Sequence, residues 1–404
     1  MKNKNIFKKI IFHVDVNSAY LSWEAVYRLD KGSKIDLRKI PSIVGGDPKH
    51  RRGVVLAKSI PAKTFGIKTG EPVFSALRKC AYIKIVPPNH SLYSFYSNKM
   101  MDILKEYTCL IEKFSIDECF MEFNNISYNE VLKKANKIRN HIKSKLGFTV
   151  NIGISTNKLL AKMASDFKKP DKVHTLFKEE IKYKMWNLKI ENLFMVGKAT
   201  VPKLHKLNIY TIGDLANYDL EIIREKFKKH GVLIWNYANG IENSKLNANR
   251  KINVKSISNS VTTPKDIYTK KEAYTILNSI AENVTSKLLK GKYFCQTISV
   301  TIKNNNFINY SKQKKLDNPT NSINDILKVT YKLFQESWKK EPIRLLGITL
   351  SNLSKDRVYQ ISLFEDKDTK KSIKIQEVIE NINSKYGDKF ITRAEELLKN
   401  NVKD

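Results

Sequence analysis

Three acidic residues stand in apolar segments, where a charged side chain is unusual. Asp15 ends the β-branched run 10–16, and Asp117 and Glu118 are adjacent within the apolar run 114–123. An unpaired charge in a buried strand is costly, and a positioned acid usually has a cation as its partner. If the two runs are neighbouring strands, the three carboxylates converge into the oxygen-rich environment that Mg²⁺ prefers.

This convergence makes a geometric demand on the second run. Adjacent residues on an extended strand point to opposite faces, so Asp117 and Glu118 can serve one site only if the backbone bends there, as at a hairpin or a bulge. With that bend, two metal ions about 3.5–4 Å apart would hold the attacking and leaving oxygens of an in-line displacement at phosphorus. The alternative is that Asp117 is a turn acid and Glu118 an exposed strand residue.

The charge of the chain indicates the kind of partner. Lys and Arg number 73 against 40 Asp and Glu, which gives a formal net charge of +33 over 404 residues. This imbalance predicts a polyanionic partner, with nucleic acid the leading candidate. Codon bias in an AT-rich genome is the alternative explanation for part of the excess. The apolar pattern predicts neither a membrane span nor a secretory signal, so a cytoplasmic location is expected.

The elements that must position the acids can be read from hydrophobic periodicity. Strands are predicted at 10–16, 82–86, 114–123 and 148–154. One helix is predicted with apolar positions from Met101 to Ile111, and another at 131–146, closed by Gly147. Together they are expected to form one mixed sheet with helices, an α+β unit of split-βαβ type.

Three further segments surround this unit. Residues 28–77 are rich in Gly, Lys and Arg and are expected to form a small inserted lobe, and the pattern from 171 to 243 is helical. Residues 252–353 predict a second α+β unit in the order βαββαβ, whose strand 296–303 has one apolar and one polar face. A polar sheet face suits a phosphate backbone, although an ordinary solvated face explains this strand equally well.

Three separated motifs carry a resemblance to a known family. They are HVDVNSAY at 13–20, SIDECF at 115–120 and GISTNKLLAKMASD at 153–166. In this order they resemble the Y-family translesion DNA polymerases, specifically the DNA polymerase IV-like branch. The resemblance implies a multi-domain α+β right-hand polymerase, whose parts would be a palm at 1–27 and 78–170, fingers at 28–77, a helix-hairpin-helix thumb at 171–245, a little finger at 252–353 and a C-terminal tail at 354–404.

The resemblance also implies roles for individual residues near the acids. Asp15, Asp117 and Glu118 match the catalytic, metal-binding carboxylates, and the backbone carbonyl of Val16 matches a further metal contact. Two Mg²⁺ ions per active site are expected, with Mn²⁺ as a substitute. Tyr20 matches the steric gate, whose ring would leave no room for a 2′-hydroxyl and would thereby reject ribonucleotides.

The segment IPAKTFGIK at 60–68 resembles the fingers segment that grips the triphosphate. The family usually has Tyr and Arg where this chain has Ile60 and Lys63. Lys63 keeps a positive charge but lacks the bidentate fork of Arg, and the side chain of Ile60 cannot donate a hydrogen bond. The departure predicts a lower nucleotide affinity. Lys158 matches the palm lysine that contacts the β- and γ-phosphates.

Contacts to DNA are expected in two places. The segment FMVGKATVPKL at 194–204 resembles the thumb helix-hairpin-helix, in which backbone N–H groups grip a phosphate, but Ala199 replaces the usual second glycine. A plain packing corner between helices is the alternative. The residues expected to contact DNA in the thumb and little finger are Gly197, Lys198, Lys203, Lys255, Lys303 and Arg344.

The segment QISLF at 360–364 resembles the peptide with which bacterial polymerases bind the sliding clamp, the β subunit. Leu363 and Phe364 would enter an apolar pocket, and Gln360 would fix the register. The function implied by the whole resemblance is a monomeric, error-prone, template-directed DNA polymerase that adds dNTPs to a primer on template DNA, without proofreading. The alternatives are a non-catalytic DNA- and clamp-binding accessory of the same fold and a metal-dependent nuclease.

Overall fold

The computed structural model describes residues 6–47, 53–248, 253–355 and residue 378. The chain divides into two compact units, Met1–Lys251 and Ile252–Asp404. In chain order, the strands and α-helices of the first unit are β1 (Ile6–Val16), α1 (Ala19–Asp30), β2 (Ser42–Gly45), β3 (Val55–Lys58), α2 (Ile60–Thr64), α3 (Val73–Lys79), β4 (Lys84–Val86), α4 (His90–Lys105), β5 (Ile111–Lys113), β6 (Glu118–Ser127), α5 (Tyr128–Leu146), β7 (Val150–Ser155), α6 (Lys158–Ser165), β8 (Val173–Thr175), α7 (Ile181–Lys184), α8 (Val201–His205), α9 (Ile212–Ala216) and α10 (Leu220–Ala238).

Strand β1 is the centre of a five-stranded sheet of order β5-β6-β1-β7-β8. It runs antiparallel to both β6 and β7. Strand alternation places Phe12 and Val14 in a core with α1, α4 and α5, whereas Ile11 points to the opposite face and packs on Ala161 of α6. Helices therefore cover both faces of the sheet, and α6 lies on the face that also carries the odd-numbered residues of β1.

The helix predicted to reach Ile111 is shorter than the apolar spacing suggested. Helix α4 ends at Lys105, and Ile111 begins β5. The hydroxyl of Thr108 donates to the carbonyl of Glu122 at 3.1 Å and accepts the N–H of Leu110 at 3.1 Å. These side-chain bonds satisfy backbone groups outside a helix, which ends the helical pattern.

The strand predicted at 114–123 is interrupted by a turn. Strands β5 and β6 form a hairpin, and the N–H groups of Phe114 and Ser115 both donate to the carbonyl of Glu118 at 3.1 Å. Asp117 consequently lies in the turn, and Glu118 is the first residue of β6. The backbone bend that the adjacent acids required is present.

The inserted lobe has a sheet of its own. Its order is β3-β2-β4, with β4 parallel to β2. The strand predicted at 82–86, observed as β4, therefore belongs to this sheet, and its expected place in one mixed sheet with the other predicted strands was wrong. A three-residue strand carries too little pattern to indicate its partner. Side chains from this sheet and from α2 and α3 form a separate small core, including Ile43, Ala62 and Val73.

The segment 171–243 is mainly helical, as predicted. It begins with one strand, β8, which joins the five-stranded sheet beside β7. Helices α6 to α10 share one hydrophobic core. Helix α10 is kinked at Lys228, whose backbone has φ 56 and ψ −141. Among the described residues, no helix combines the length and hydropathy that crossing a membrane requires.

The second unit has the predicted order βαββαβ. Its elements are β9 (Ser256–Ile267), α11 (Lys270–Lys290), β10 (Phe294–Asn304), β11 (Asn309–Thr320), α12 (Ile323–Ser337) and β12 (Ile343–Ser354). The four strands form an antiparallel sheet of order β11-β10-β12-β9. Ile298, Val300 and Ile302 of β10 are buried against the two helices, and Ser299 and Thr301 lie on the other face, as the alternation predicted.

Gly153 of β7 allows α6 to approach the sheet very closely. A Cβ atom at this position would lie 1.9 Å from the carbonyl oxygen of Ala161 and 2.4 Å from the backbone nitrogen of Ser165. We expect Gly153→Ala to lower the free energy of unfolding by about 2–3 kcal/mol, because helix backbone must move. Gly197→Ala, where a Cβ would meet nothing within 4 Å, is the control and should change it by less than about 0.5 kcal/mol. Urea denaturation measures both; equal effects would contradict the close approach.

Candidate active site

The sheet register brings the three predicted acids to one end of β1. Asp15 is paired with Glu118 across β1 and β6, and the N–H of Val16 donates to the carbonyl of Asp117 at 3.0 Å. Directly opposed residues of an antiparallel pair project from the same face, so Asp15 and Glu118 share the face covered by α6. The hydroxyl of Ser115 donates to Asp117 Oδ1 at 2.5 Å within the turn.

Glu118 is held in its ionised form by two groups. Nζ of Lys162 on α6 contacts Glu118 Oε2, and His13 Nε2 lies 3.0 Å from the same oxygen. His13 is fully buried, and its Nδ1 lies 2.8 Å from Ser165 Oγ. Burial raises the pKa of Glu118, but the adjacent side chains of His13 and Lys162 outweigh this effect and lower the pKa to about 2. Burial lowers the pKa of His13, so Lys162 is the cation that balances Glu118 at neutral pH.

Asp15 has a cationic partner of its own. Nζ of Lys169 contacts Asp15 Oδ2 and lies 2.8 Å from Asp166 Oδ1. Burial raises the pKa of Asp15, and the charge of Lys169 opposes that rise. Burial has the opposite effect on Lys169 and lowers its pKa. The two carboxylates outweigh burial, so the pKa of Lys169 is raised. The ammonium group therefore stays charged at neutral pH.

The segment that carries Lys169 is fixed to the end of β1 by amide side chains. The N–H of Asp171 donates to Asn17 Oδ1 at 2.9 Å. Asn151 of β7 donates from Nδ2 to the carbonyl of Lys168 at 2.9 Å. These bonds hold the loop after α6 against the strand ends, so the position of Lys169 is built into the fold.

The three acids are suitable ligands for divalent metal ions, because they are carboxylates and their backbones lie together at one end of β1. Three carboxylates are a hard oxygen set of the kind that Mg²⁺ takes. In the described part of the chain, no group of three His, Cys, Asp or Glu side chains could hold a metal ion as the side chains stand. Lys162 contacts Glu118, and Lys169 contacts Asp15. Each of these carboxylates is balanced by an ammonium group, and a divalent cation can take over that charge compensation.

Two of the acids open onto a cleft of about 760 Å³ between the end of β1 and the inserted lobe. Asp15, Asp117, Tyr20 and Lys63 line it, so the structure brings these predicted residues together. Lys169 lines it as well, and the sequence reasoning missed this residue. Nothing in the sequence distinguished it from the other lysines of this segment.

Lys158 is not among the residues that line the cleft. Its Nζ lies 3.2 Å from Glu112 Oε2 and 3.3 Å from the carbonyl oxygen of Lys245. On the same helix, Lys162, four residues later, is the lysine that reaches an acid of the site. The phosphate contact of Lys158 stays a prediction. Periodicity identified the helix but could not show which of its lysines faces the acids.

Tyr20 lies at the start of α1 in an aromatic cluster. Its ring stacks on that of Tyr93 with centroids 4.4 Å apart and planes at 12°, and the edge of His90 meets it at 6.1 Å. Tyr93 is fully buried, and its hydroxyl donates to Glu24 Oε1 at 3.1 Å. The ring of Tyr20 is thus held on one side while part of it remains accessible in the cleft.

The residues predicted to contact DNA lie in two regions that are described separately. Gly197, Lys198 and Lys203 are exposed in and before α8 of the first unit. In the second unit Lys255 is exposed and Lys303 is half-buried, whereas the guanidinium of Arg344 lies 4.5 Å from the ring centroid of Phe307. The predicted clamp-binding residues lie outside the described residues; they are Gln360, Leu363 and Phe364.

Comparison with known proteins places the chain in a family. Residues 14–166 match the impB/mucB/samB family and residues 254–363 match its C-terminal domain. The chain is 50% identical to the DNA polymerase IV of Clostridium acetobutylicum over 96% of its own length and 98% of that relative. It is 36% identical to DNA polymerase IV 1 of Bacillus subtilis over 98% of its own length and 95% of that relative. The chain belongs to the Y-family DNA polymerases, in the DNA polymerase IV-like branch.

This Y-family DNA polymerase also has the fold of solved relatives. A Y-family DNA polymerase chimera superposes with a TM-score of 0.74 at 22% identity, covering 86% of this chain and all of the chimera. The predicted family and the α+β right-hand polymerase fold are therefore confirmed. The chain is a DNA-directed DNA polymerase, and enzymes of this family use divalent metal ions.

Proposed function

We propose that the chain is an error-prone translesion polymerase that adds dNTPs to a primer 3′ end by two-metal phosphoryl transfer, without proofreading. The observation that carries this proposal is the arrangement at the end of β1. Asp15 and Asp117 line the cleft together with Tyr20, and Glu118 is the register partner of Asp15. The names of the relatives and the charge of +33 support a DNA substrate.

The proposed metal site consists of Asp15, Asp117 and Glu118 with the backbone carbonyl of Val16. Two Mg²⁺ ions, when bound, would stabilise charge at the reacting phosphoryl group. Lys162 and Lys169 would then exchange their present carboxylate partners for other anions. Because Lys169 lines the cleft, we assign it to the triphosphate of the nucleotide, in the role first expected of Lys158.

The proposed domains follow the sequence boundaries given above, from the palm to the C-terminal tail, with two changes. Because β4 pairs with β2, we assign residues 78–86 to the fingers, and because β8 pairs with β7, we assign it to the palm. The division of the chain between Lys251 and Ile252 supports a separate little finger. We propose that Gly197, Lys198 and Lys203 of the thumb contact the DNA backbone. In the little finger, Lys255, Lys303 and Arg344 are proposed to do the same. Such contacts are independent of base sequence and weaken steeply with salt. The enzyme is proposed to act as a cytoplasmic monomer.

The role of Asp117 gives the decisive test. We expect Asp117→Ala to lower kcat for Mg²⁺-dependent primer extension roughly 10²–10³-fold or more, because a carboxylate that holds the metals is lost. Affinity for primer-template DNA should change little. Asp102→Ala removes an exposed acid of α4 and is the matched control, with expected wild-type activity. Extension assays and fluorescence anisotropy with labelled DNA measure the two quantities.

The same assays separate the alternatives. A wild-type protein that binds DNA and the clamp but incorporates no nucleotide would be the non-catalytic accessory. Degradation of labelled DNA in the absence of dNTPs would indicate a nuclease. Full extension by Asp117→Ala would remove Asp117 from the proposed site.

The ring of Tyr20, which stacks on Tyr93, is proposed to select deoxyribose over ribose in the incoming nucleotide. We expect Tyr20→Ala to raise the efficiency of ribonucleotide incorporation relative to dNTP incorporation by roughly 10–200-fold, the range for removing one group from a pocket. Tyr82→Ala, at an exposed tyrosine of the inserted lobe, is the control. Competition assays with paired nucleotides measure the ratio. Unchanged discrimination in Tyr20→Ala would exclude Tyr20 as the gate.

Clamp binding is proposed from the sequence alone. We expect replacement of Gln360, Leu363 and Phe364 by Ala to abolish stimulation of synthesis by the β clamp and to spare synthesis without the clamp, because the apolar anchor is removed. Replacing Ile361 and Ser362 by Ala is the control. Equal stimulation of wild type and the triple variant would contradict the proposal.

A further inference from the structure

The lobe side of the cleft carries two lysines that differ from its other cations. Arg38, Lys58, Lys63 and Lys169 all line the cleft. In the part of the chain that the structure describes, Arg38 pairs with Asp36 and Lys169 with Asp15 and Asp166, whereas Lys58 and Lys63 form no ion pair. The acid near Lys58, Glu71, is itself paired with Lys79, so the charges of the two lysines are available to a polyanion.

Lys58 is held in place by the backbone around it. It ends β3, paired with Ile43 of β2. The next residue, Ser59, is buried; its hydroxyl donates to the carbonyl of Ile40 at 2.7 Å and accepts the N–H groups of Ser42 at 3.1 Å and Ala62 at 3.0 Å. These bonds join β3, β2 and the start of α2, so the direction in which Lys58 enters the cleft is fixed by the fold.

The tip of the Lys58 side chain is also located. Its Nζ donates to Thr69 Oγ1 at 3.2 Å, and Thr69 lines the same cleft. Burial lowers the pKa of Lys58, and the charge of Lys63 lowers it further, so the two ammonium groups are close enough to repel each other. An anion that contacts both groups would be stabilised by each. The donors on this wall thus include two ammonium groups and one hydroxyl.

Two residues that usually bind the triphosphate in this family are replaced in this chain, at positions 60 and 63. Ile60 is 55% exposed, and its side chain has no hydrogen-bond donor. Lys63 supplies one ammonium group, whereas an arginine would supply two parallel hydrogen bonds. We propose that Lys58 is a further triphosphate-binding residue, which supplies from β3 the contact that Ile60 cannot make. This inference rests on the proposed function and identifies the pyrophosphate portion of the incoming dNTP as the ligand.

The test uses Lys58→Met in the full chain, because methionine keeps the aliphatic stem and removes the charge. We expect KM for dNTP to rise about tenfold, the effect of losing one charge-assisted hydrogen bond, with a smaller change in kcat. Inhibition of primer extension by added pyrophosphate should weaken by a similar factor. Affinity for primer-template DNA should be unchanged, and Lys58→Arg should restore most of the nucleotide affinity.

Two further variants control the interpretation. Lys84→Met removes an exposed lysine of β4, in the same three-stranded sheet but outside the cleft, and should leave KM unchanged. Ile60→Tyr in the Lys58→Met background should recover nucleotide affinity, because it adds a donor where the family usually has one. Recovery in the double variant would also show that Lys58→Met is folded.

The outcomes are distinguishable from failure of the proposed function. No incorporation by the wild type would reject the polymerase proposal itself. A wild type that extends primers, together with Lys58→Met that has unchanged KM and unchanged pyrophosphate inhibition, would overturn the role of Lys58. Weakened DNA binding with unchanged KM would overturn it as well, since Lys58 would then contact the template.

Discussion

The partly buried carboxylates where β1 meets β6 depend on cations supplied from elsewhere in the chain. Asp15 and Glu118 are opposed on one face of the sheet, where two negative charges repel each other and are only partly exposed to water. Lys162 and Lys169 compensate one acid each, and both lysines come from the segment that follows β7. The position of that segment is therefore a condition for the ionised site.

The position of the segment depends in turn on very close packing. Gly153 lets α6 lie directly on β7, and His13 and Ser165 meet beneath it at 2.8 Å. Asn17 and Asn151 then tie the following loop to the strand ends. The acids and their compensating lysines thus belong to one closely packed arrangement, which suits the proposed positioning of phosphate groups.

Much of the fold could be predicted because the signals are local. Helix α5 shows clean apolar spacing and ends at Gly147, whose φ of 70 suits glycine, and the second unit shows strands and helices in an unambiguous order. The errors fell where local signals are ambiguous. Thr108 ends a helix through bonds to a distant strand, and β4 joins a sheet that its three residues could not specify.

The sequence by itself determined the family and the order of the elements in the second unit, and it predicted the three acids, because these inferences depend on residue types at fixed spacings. It also required a bend at Asp117 and Glu118, since neighbouring side chains on a strand point apart. Only the tertiary structure decided which lysines serve the acids. Lys158, Lys162 and Lys169 look alike in sequence, and their roles differ because packing turns the first toward Glu112, the second toward Glu118 and the third toward Asp15.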